Sequence, residues 1–351
     1  MNRRRFLLHI AVILALSALL TGCASEPAEI QRHGKAYYNF FDTVSYVYSY
    51  AGDSAEQFED RSAEASRILE EYHKLFDIYH EYSGVNNLCT VNRLAGGECV
   101  QVDERLIDFL LYAKQLYDET DGEMNVMMGA VLSIWHNCRS QASEDPSAAR
   151  LPSSEELEHA AAHTDIALLE IDKENCTVRI SDPEASIDVG AVGKGYATEM
   201  AAKYLESIHA DGYVLNVGGN LRIIGAKPDG SGWVTGIRDP DDSSADFAAQ
   251  LYLSDTSCVT SGVYERYYTV KGTRYHHIID RDTLFPADYF LSLTVLTQDS
   301  GLADALSTAL FCMSYEDGLA LIERFGNVDV LWIFPDGEIR YTPGLEDRII
   351  N

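Results

Sequence analysis

Three separated groups of residues in this 351-residue chain have the types and spacing to do chemistry. The first is Asp188-Val189-Gly190-Ala191-Val192-Gly193-Lys194-Gly195-Tyr196-Ala197, read as the turn between a strand over 178–189 and an amphipathic helix. Glycines let the backbone take positive φ and approach a ligand closely. The free N–H groups and dipole of the following helix favour an anion, and Lys194 adds a full positive charge. The combination suggests a phosphate cradle. It is not a Walker A loop, because Gly195 follows the lysine where Ser or Thr is required, and it is not GxGxxG. Alone, such a turn is more often plain turn chemistry. The second group is His276-His277-Ile278-Ile279-Asp280, near one strand end. Neighbouring strand residues point opposite ways, so only one imidazole can face a given site. Imidazole suits proton transfer near neutral pH. The third is Ala303–Phe311, whose helical composition sets Asp304 and Thr308 at i and i+4 on one face. A carboxylate and a hydroxyl so placed offer hard oxygen ligands to Mg²⁺. A local Asp–Thr hydrogen bond on a solvated face is the plainer alternative. Leu306, Ala309 and Leu310 fill the other faces, however, and a buried aspartate needs a partner or a metal.

The elements that must position these groups read as a mixed set. Phe40–Tyr50 is rich in aromatics, Val and Thr and predicts a first strand. Ala55–Asp77 and Glu104–Asp118 carry apolar residues at helical spacing. Asn137–Ser154 is polar with prolines and predicts a loop. Ser153 and Glu156 then offer capping chemistry for a helix through Ala162. Beyond it lie strands at Tyr213–Val217, Trp233–Ile237 and Phe247–Leu253. The absence of regular βαβ alternation predicts α+β rather than a doubly wound sheet.

The chain has 27 Lys and Arg against 55 Asp and Glu, a net charge of −28. Such a surface repels nucleic acid and anionic headgroups. Arg3, Arg4 and Arg5 precede an apolar run, Ile10–Leu20, too short to span a bilayer as a mature helix. Leu20-Thr21-Gly22-Cys23 resembles a bacterial lipobox. Residues 1–22 are therefore expected to be a lipoprotein signal peptide, Cys23 the lipidated residue, 23–36 a tether and 37–351 one domain. Three arginines and no acids leave with the signal, so the exported part carries −31 where the whole chain carries −28. The expected location is the extracytoplasmic face of the cell membrane, held by lipid. Export by the general or the twin-arginine route stays open. Cys89, Cys99, Cys138, Cys176, Cys258 and Cys312 form no CxxC pair, and no histidine at metal-ligand spacing is read, so no zinc site is expected. Cys258 and Cys312 read as small core residues.

Taken together, the motifs resemble the ApbE family, the FAD:protein FMN transferases. The resemblance covers roughly Tyr38 to the C-terminus. It rests on 41–46 (FDTVSY), Tyr79 to Ser83 leading to Asn92, 121–125 (DGEMN), 187–197 and 215–221 (LNVGGNL), continuing through 260–268 (TSGVYERYY), 275–280 (YHHIID) and 304–311 (DALSTALF). It implies an ApbE-like, T-fold-like duplicated sheet-and-helix domain with two lobes. It also implies Mg²⁺-dependent transfer of the FMN half of FAD to a Thr or Ser hydroxyl of an acceptor protein, with release of AMP. Acceptors would be subunits of membrane redox complexes or FMN-binding domains that carry a flavinylation motif. The implied metal ligands are Asp304, Thr308 and the carbonyl of Ala191, with Ser307 in some members. Tyr79 would stack on the flavin, and Phe41, Asp188, Lys194, Ile279 and the segment Glu123-Met124-Asn125 would contact FAD. His277 would accept or relay the hydroxyl proton, with Asp280 orienting it or sharing the role. An Mg²⁺-dependent FAD pyrophosphatase and a non-catalytic flavin-binding lipoprotein are the alternatives. The chain departs from many members at Phe41-Asp42, at Glu123 to Met127, where Asn125 replaces an aspartate, and at Arg281 and Leu284, where many have Pro and Gly.

Overall fold

The computed structural model describes residues 32–241 and 246–350. The signal peptide, Cys23 and most of the tether lie outside these residues. In chain order the helices are α1 (Ala55–Phe76), α2 (Leu88–Arg93), α3 (Glu104–Glu119), α4 (Gly129–Glu144), α5 (Ser154–Ala161), α6 (Gly193–Ser207), α7 (Ser300–Ala309) and α8 (Tyr315–Ile322). None is long and apolar enough to cross a membrane. The strands of the first half are β1 (His33–Tyr37), β2 (Ser45–Ser49), β3 (Val100–Gln101), β4 (Leu169–Asp172), β5 (Thr177–Ile180), β6 (Tyr213–Val217) and β7 (Asn220–Ile224). Those of the second are β8 (Trp233–Arg238), β9 (Phe247–Leu253), β10 (Ser257–Gly262), β11 (Tyr268–Val270), β12 (Thr273–Tyr275), β13 (Ser292–Thr297), β14 (Asp329–Ile333), β15 (Ile339–Tyr341) and β16 (Ile349–Ile350).

Eight strands form one antiparallel sheet in the order β1-β2-β6-β7-β10-β13-β14-β15. Alternation along each strand buries both faces. Tyr213, Leu215 and Val217 point to the side covered by α6 and α1, while Val214 and Ile223 point to a second core with Ile237, Leu251 and Leu253 of the small β16-β9-β8 sheet. α6 and α7 lie on the same face of the large sheet, and α1 packs over α6. A second lobe gathers α4, α5 and the β11–β12 hairpin around Trp135, Cys138, Leu157 and Tyr268. The architecture is α+β, as expected.

Several boundaries differ from the sequence expectation. β1 begins at His33, inside the expected tether, and pairs with β2 from His33 against Ser49 to Tyr37 against Ser45. As a half-exposed edge strand it carries little of the apolar alternation that marks buried strands. The expected first strand is interrupted: Phe40 is buried, and Phe41 and Asp42 turn the chain at φ of 57° and 49° before β2 starts. The expected loop after Asn137 is helical as far as Glu144, because Val131, Trp135, Cys138 and Ala142 make a narrow buried stripe beneath polar neighbours. The strand before the glycine turn ends at Ile180, since Pro183 has no N–H for a ladder. Beyond it the side chain of Asn92 stands in for a neighbouring strand. Its amide nitrogen donates to the Ile187 carbonyl at 2.9 Å and its oxygen accepts the Ile187 N–H at 2.7 Å.

Candidate active site

The site is built where α6 and α7 cross. Gly195, in the first turn of α6, is placed so that a Cβ would sit 2.3 Å from the Ser300 carbonyl oxygen and 2.4 Å from the Asp304 Cβ. None of Gly190, Gly193 and Gly195 takes positive φ. The expectation that these glycines bend the chain is thus corrected, and at Gly195 the need is close approach. That approach lets the helices cap each other. Asp304 Oδ2 on α7 accepts the Gly195 N–H of α6 at 2.8 Å, and Glu199 Oε2 on α6 accepts the Ser300 N–H of α7 at 3.0 Å. Val192, the N-cap of α6, supplies no side-chain cap, so Asp304 fills that role from another element. Buried Arg222 on β7 holds Glu199 at 3.3 Å and Glu206 at 2.5 Å, fixing α6 to the sheet.

Above this crossing opens a cleft of about 1030 Å³, at the upper end of small-molecule sites. It is lined by Phe41, Tyr79, Glu123, Met124, Asn125, Asp188, Ala191, Lys194, His277, Ile279, Asp304 and Thr308. Positions spread over most of the chain therefore meet in one place. The two-residue Gly218-Gly219 turn, with φ of 57° and 95°, closes the β6–β7 hairpin and brings Asn216 and Asn220 to the cleft floor. Tyr79 is 55% exposed, with its ring 5.2 Å from the His136 ring.

Two expected site residues do not reach the cleft. Ser307 is buried one layer behind it, donating to the Asp304 carbonyl at 2.9 Å and meeting the Ser261 hydroxyl at 2.9 Å. Asp280 is also buried outside the lining. Its Oδ1 accepts the N–H groups of Asp282 and Thr283 at 2.7 and 3.1 Å, so it holds the turn after the histidines and makes no hydrogen bond to His277. Cys23 falls outside the described residues. Cys258, expected as a core residue, is buried but also borders the cleft.

The histidine pair divides as strand geometry requires, although it lies just past β12. His276 turns into the core: its Nδ1 accepts the Ile278 N–H at 3.2 Å, so Nε2 donates to the Ala287 carbonyl at 2.8 Å. His277 faces the cleft with Nδ1 buried and unpartnered. Burial, reinforced by nearby Arg266, Lys194 and Arg139, pushes its pKa down to about 3, so the ring is a neutral base. Burial raises the Asp304 pKa, opposed by Lys194, the Gly195 N–H and Asn220. Asp304 is thus a buried carboxylate short of positive charge, one turn from the Thr308 hydroxyl. This hard-oxygen donor set fits Mg²⁺. Asn220 Nδ2 lies buried beside this carboxylate.

Sequence reasoning missed Arg139 on α4 and Arg266 in the turn before β11, which has φ of 41°. Among the described residues neither they nor Lys194 form an ion pair, and all three line the cleft. Arg139 touches His136 Nδ1 at 3.1 Å. Arg139 stands in mainly polar sequence and Arg266 within the aromatic-rich 260–268, more than a hundred residues on, so only the fold groups them. Two departures from the usual family pattern also meet. Arg281 pairs with Glu123 at 3.1 Å, and burial raises the Glu123 carboxyl to about 7. Asn125 is fully used locally, donating to the Thr164 carbonyl at 2.9 Å and accepting the Met127 N–H at 2.9 Å.

The family model described as the ApbE family matches residues 42–332. The chain belongs to the ApbE family. A Treponema pallidum FAD:protein FMN transferase is 31% identical over 306 residues, 82% of this chain and 83% of that protein. A Vibrio cholerae FAD:protein FMN transferase is 28% identical, with 92% of each chain covered. The crystal structure of the ApbE protein of Thermotoga maritima superposes with a TM-score of 0.79 at 28% identity, covering 92% of this chain and all of that one. The flavin transferase ApbE from Vibrio cholerae gives 0.70 at 25% identity, covering 89% and 96%. The ApbE match begins at Asp42, so β1 and the turn residue Phe41 lie upstream of it.

Proposed function

We propose that this ApbE-family protein is an FAD:protein FMN transferase that moves the FMN half of FAD onto a Thr or Ser hydroxyl of an acceptor protein, requires Mg²⁺ and releases AMP. The observation that carries the reading is the convergence of Lys194, Asp304, Thr308 and neutral His277 on one cleft. Asp304, Thr308 and the Ala191 carbonyl would hold Mg²⁺, which when bound would supply positive charge to offset that of the pyrophosphate and the leaving group. Lys194, in the first turn of α6, adds positive charge in the same place. Tyr79 presents an exposed aromatic face for the flavin. The acceptor hydroxyl oxygen attacks the FMN-side phosphorus, the P–O bond to AMP breaks, and His277 takes the hydroxyl proton. Asp280 keeps the turn that sets His277 in place. A lipid on Cys23 would anchor the enzyme at the extracytoplasmic face.

The test is one incubation of the protein with FAD and Mg²⁺, with and without a protein acceptor bearing a flavinylation motif. Acceptor-dependent covalent flavin supports transfer. FMN and AMP formed equally without acceptor would make the protein a pyrophosphatase, and unchanged FAD would reduce it to a binder.

A further inference from the structure

The second lobe carries a cluster the cleft does not use. His159, in the last turn of α5, and His163, four residues on, set their rings 5.2 Å apart. Glu184, from the turn after β5, reaches both: Oε2 lies 3.8 Å from His159 Nε2 and Oε1 lies 3.9 Å from His163 Nε2. One ligand atom from each residue falls within 4.8 Å of the others. Tetrahedral ligands around zinc stand about 3.4 Å apart, so side-chain adjustment alone closes the set. His163 Nδ1 meets Asp182 Oδ2 at 2.7 Å, which fixes the tautomer and leaves the Nε2 lone pair toward Glu184. Asp182 Oδ1 accepts the Glu184 N–H at 2.8 Å, so one carboxylate orients two of the three ligands.

We propose that His159, His163 and Glu184 form a transition-metal site of the zinc class, separate from the oxygen-lined cleft. Two imidazoles and a carboxylate select zinc over magnesium. The proposal departs from the expectation, drawn from the cysteines and from histidine spacing, that the chain holds no such site: two ligands are four residues apart and the third comes from a distant turn. A metal there ties the end of α5 to the segment that runs on to Asp188 and Ala191. Thr164, next to His163, already holds Asn125 of the cleft wall. Three protein ligands leave one position for water.

The test is zinc uptake by the exported chain in excess Mg²⁺, measured by competition with a colorimetric chelator, together with thermal melting with and without zinc. Wild type should bind one equivalent and melt higher with zinc, and cobalt should give the intense visible bands of a four-coordinate site. His159→Ala, an exposed change, should lose that equivalent while melting like wild type without metal. Asp182→Asn should weaken zinc about 10–100-fold. A wild type that binds no zinc, or a His159→Ala protein that keeps the equivalent, overturns the site.

Discussion

Replacing Gly195 by alanine tests the claim that close approach of α6 and α7 assembles the site. The new Cβ would lie 2.3 Å from the Ser300 carbonyl oxygen and 2.4 Å from the Asp304 Cβ, against 3.4 Å for ordinary contact. Neither neighbour is the loose end of a side chain, so the helices must part by about 1 Å in an interior packed without slack. Overpacking of this kind costs about 1–3 kcal/mol. Lengthening the hydrogen bond from the Gly195 N–H to buried Asp304 removes about 1.5–3 kcal/mol more. Alanine's better helix propensity offsets about 1 kcal/mol. The net loss is about 1.5–5 kcal/mol, a fall in melting temperature of about 2–7 °C for a chain of this size. Misplacing Asp304 by such a distance should lower FAD turnover about 100-fold. Scanning calorimetry and AMP release would measure the two effects. Gly190→Ala is the control for stability, since its Cβ would meet only Asp188 Oδ1, at 3.1 Å. A Gly195→Ala protein that melts and turns over like wild type would refute the reasoning.

Asp304→Asn keeps an acceptor for the Gly195 N–H but removes a carboxylate whose pKa is raised by burial. A raised carboxyl disfavours the folded state above its ordinary pKa, so at neutral pH the metal-free variant should melt no lower than wild type. Mg²⁺ should stabilise wild type alone, and an equal Mg²⁺ shift in the variant would remove Asp304 from the metal site. Because His277 is held near 3 and Glu123 near 7, the free-enzyme pH profile between about 5.5 and 8 should bend at Glu123 and flatten in Glu123→Gln. A bend that survives in Glu123→Gln would assign the titration elsewhere. Arg266→Gln and Arg139→Gln should each raise the KM for FAD about 10-fold with a smaller change in kcat, as loss of a hydrogen bond to a charged group does. Unchanged KM in both variants would show that these cations serve another purpose.

Much of this was legible along the chain because it is local. The stripe Phe58, Ala65, Leu69, Tyr72, Phe76 writes α1 into the sequence, and Ser153 with Glu156 writes the start of α5. Asp304 and Thr308 were readable because the helical period puts them on one face. What could not be read depends on chain segments far apart. The mutual capping of α6 and α7 joins Gly195 to Asp304 and Glu199 to Ser300, more than a hundred residues away in each case. The Glu123–Arg281 pair looks like two unrelated departures until the fold sets them 3.1 Å apart. Asp280 was misjudged for the opposite reason. Its nearness to His277 in sequence suggested partnership, whereas an aspartate at that spacing from two free N–H groups is used by its own turn.

Charge presents a further problem, because a protein of net charge −28 must admit an anionic dinucleotide. Two opposed terms act over different distances. The long-range term is repulsion by the whole surface, which reaches about 30 Å at 0.01 M salt and about 8 Å at 0.15 M. The short-range term is attraction by Lys194, Arg139 and Arg266, which lie inside the cleft without ion pairs among the described residues and are screened far less. A basic binding face would lose affinity steeply as salt rises. Here added salt removes the repulsion first, so the association rate of FAD should rise between low and physiological ionic strength while the dissociation rate changes little. Stopped-flow quenching of flavin fluorescence in Mg²⁺ at constant pH would follow both. A steep fall in association rate with salt would mean that the field at the cleft mouth is positive, and that the three cations dominate well beyond contact distance.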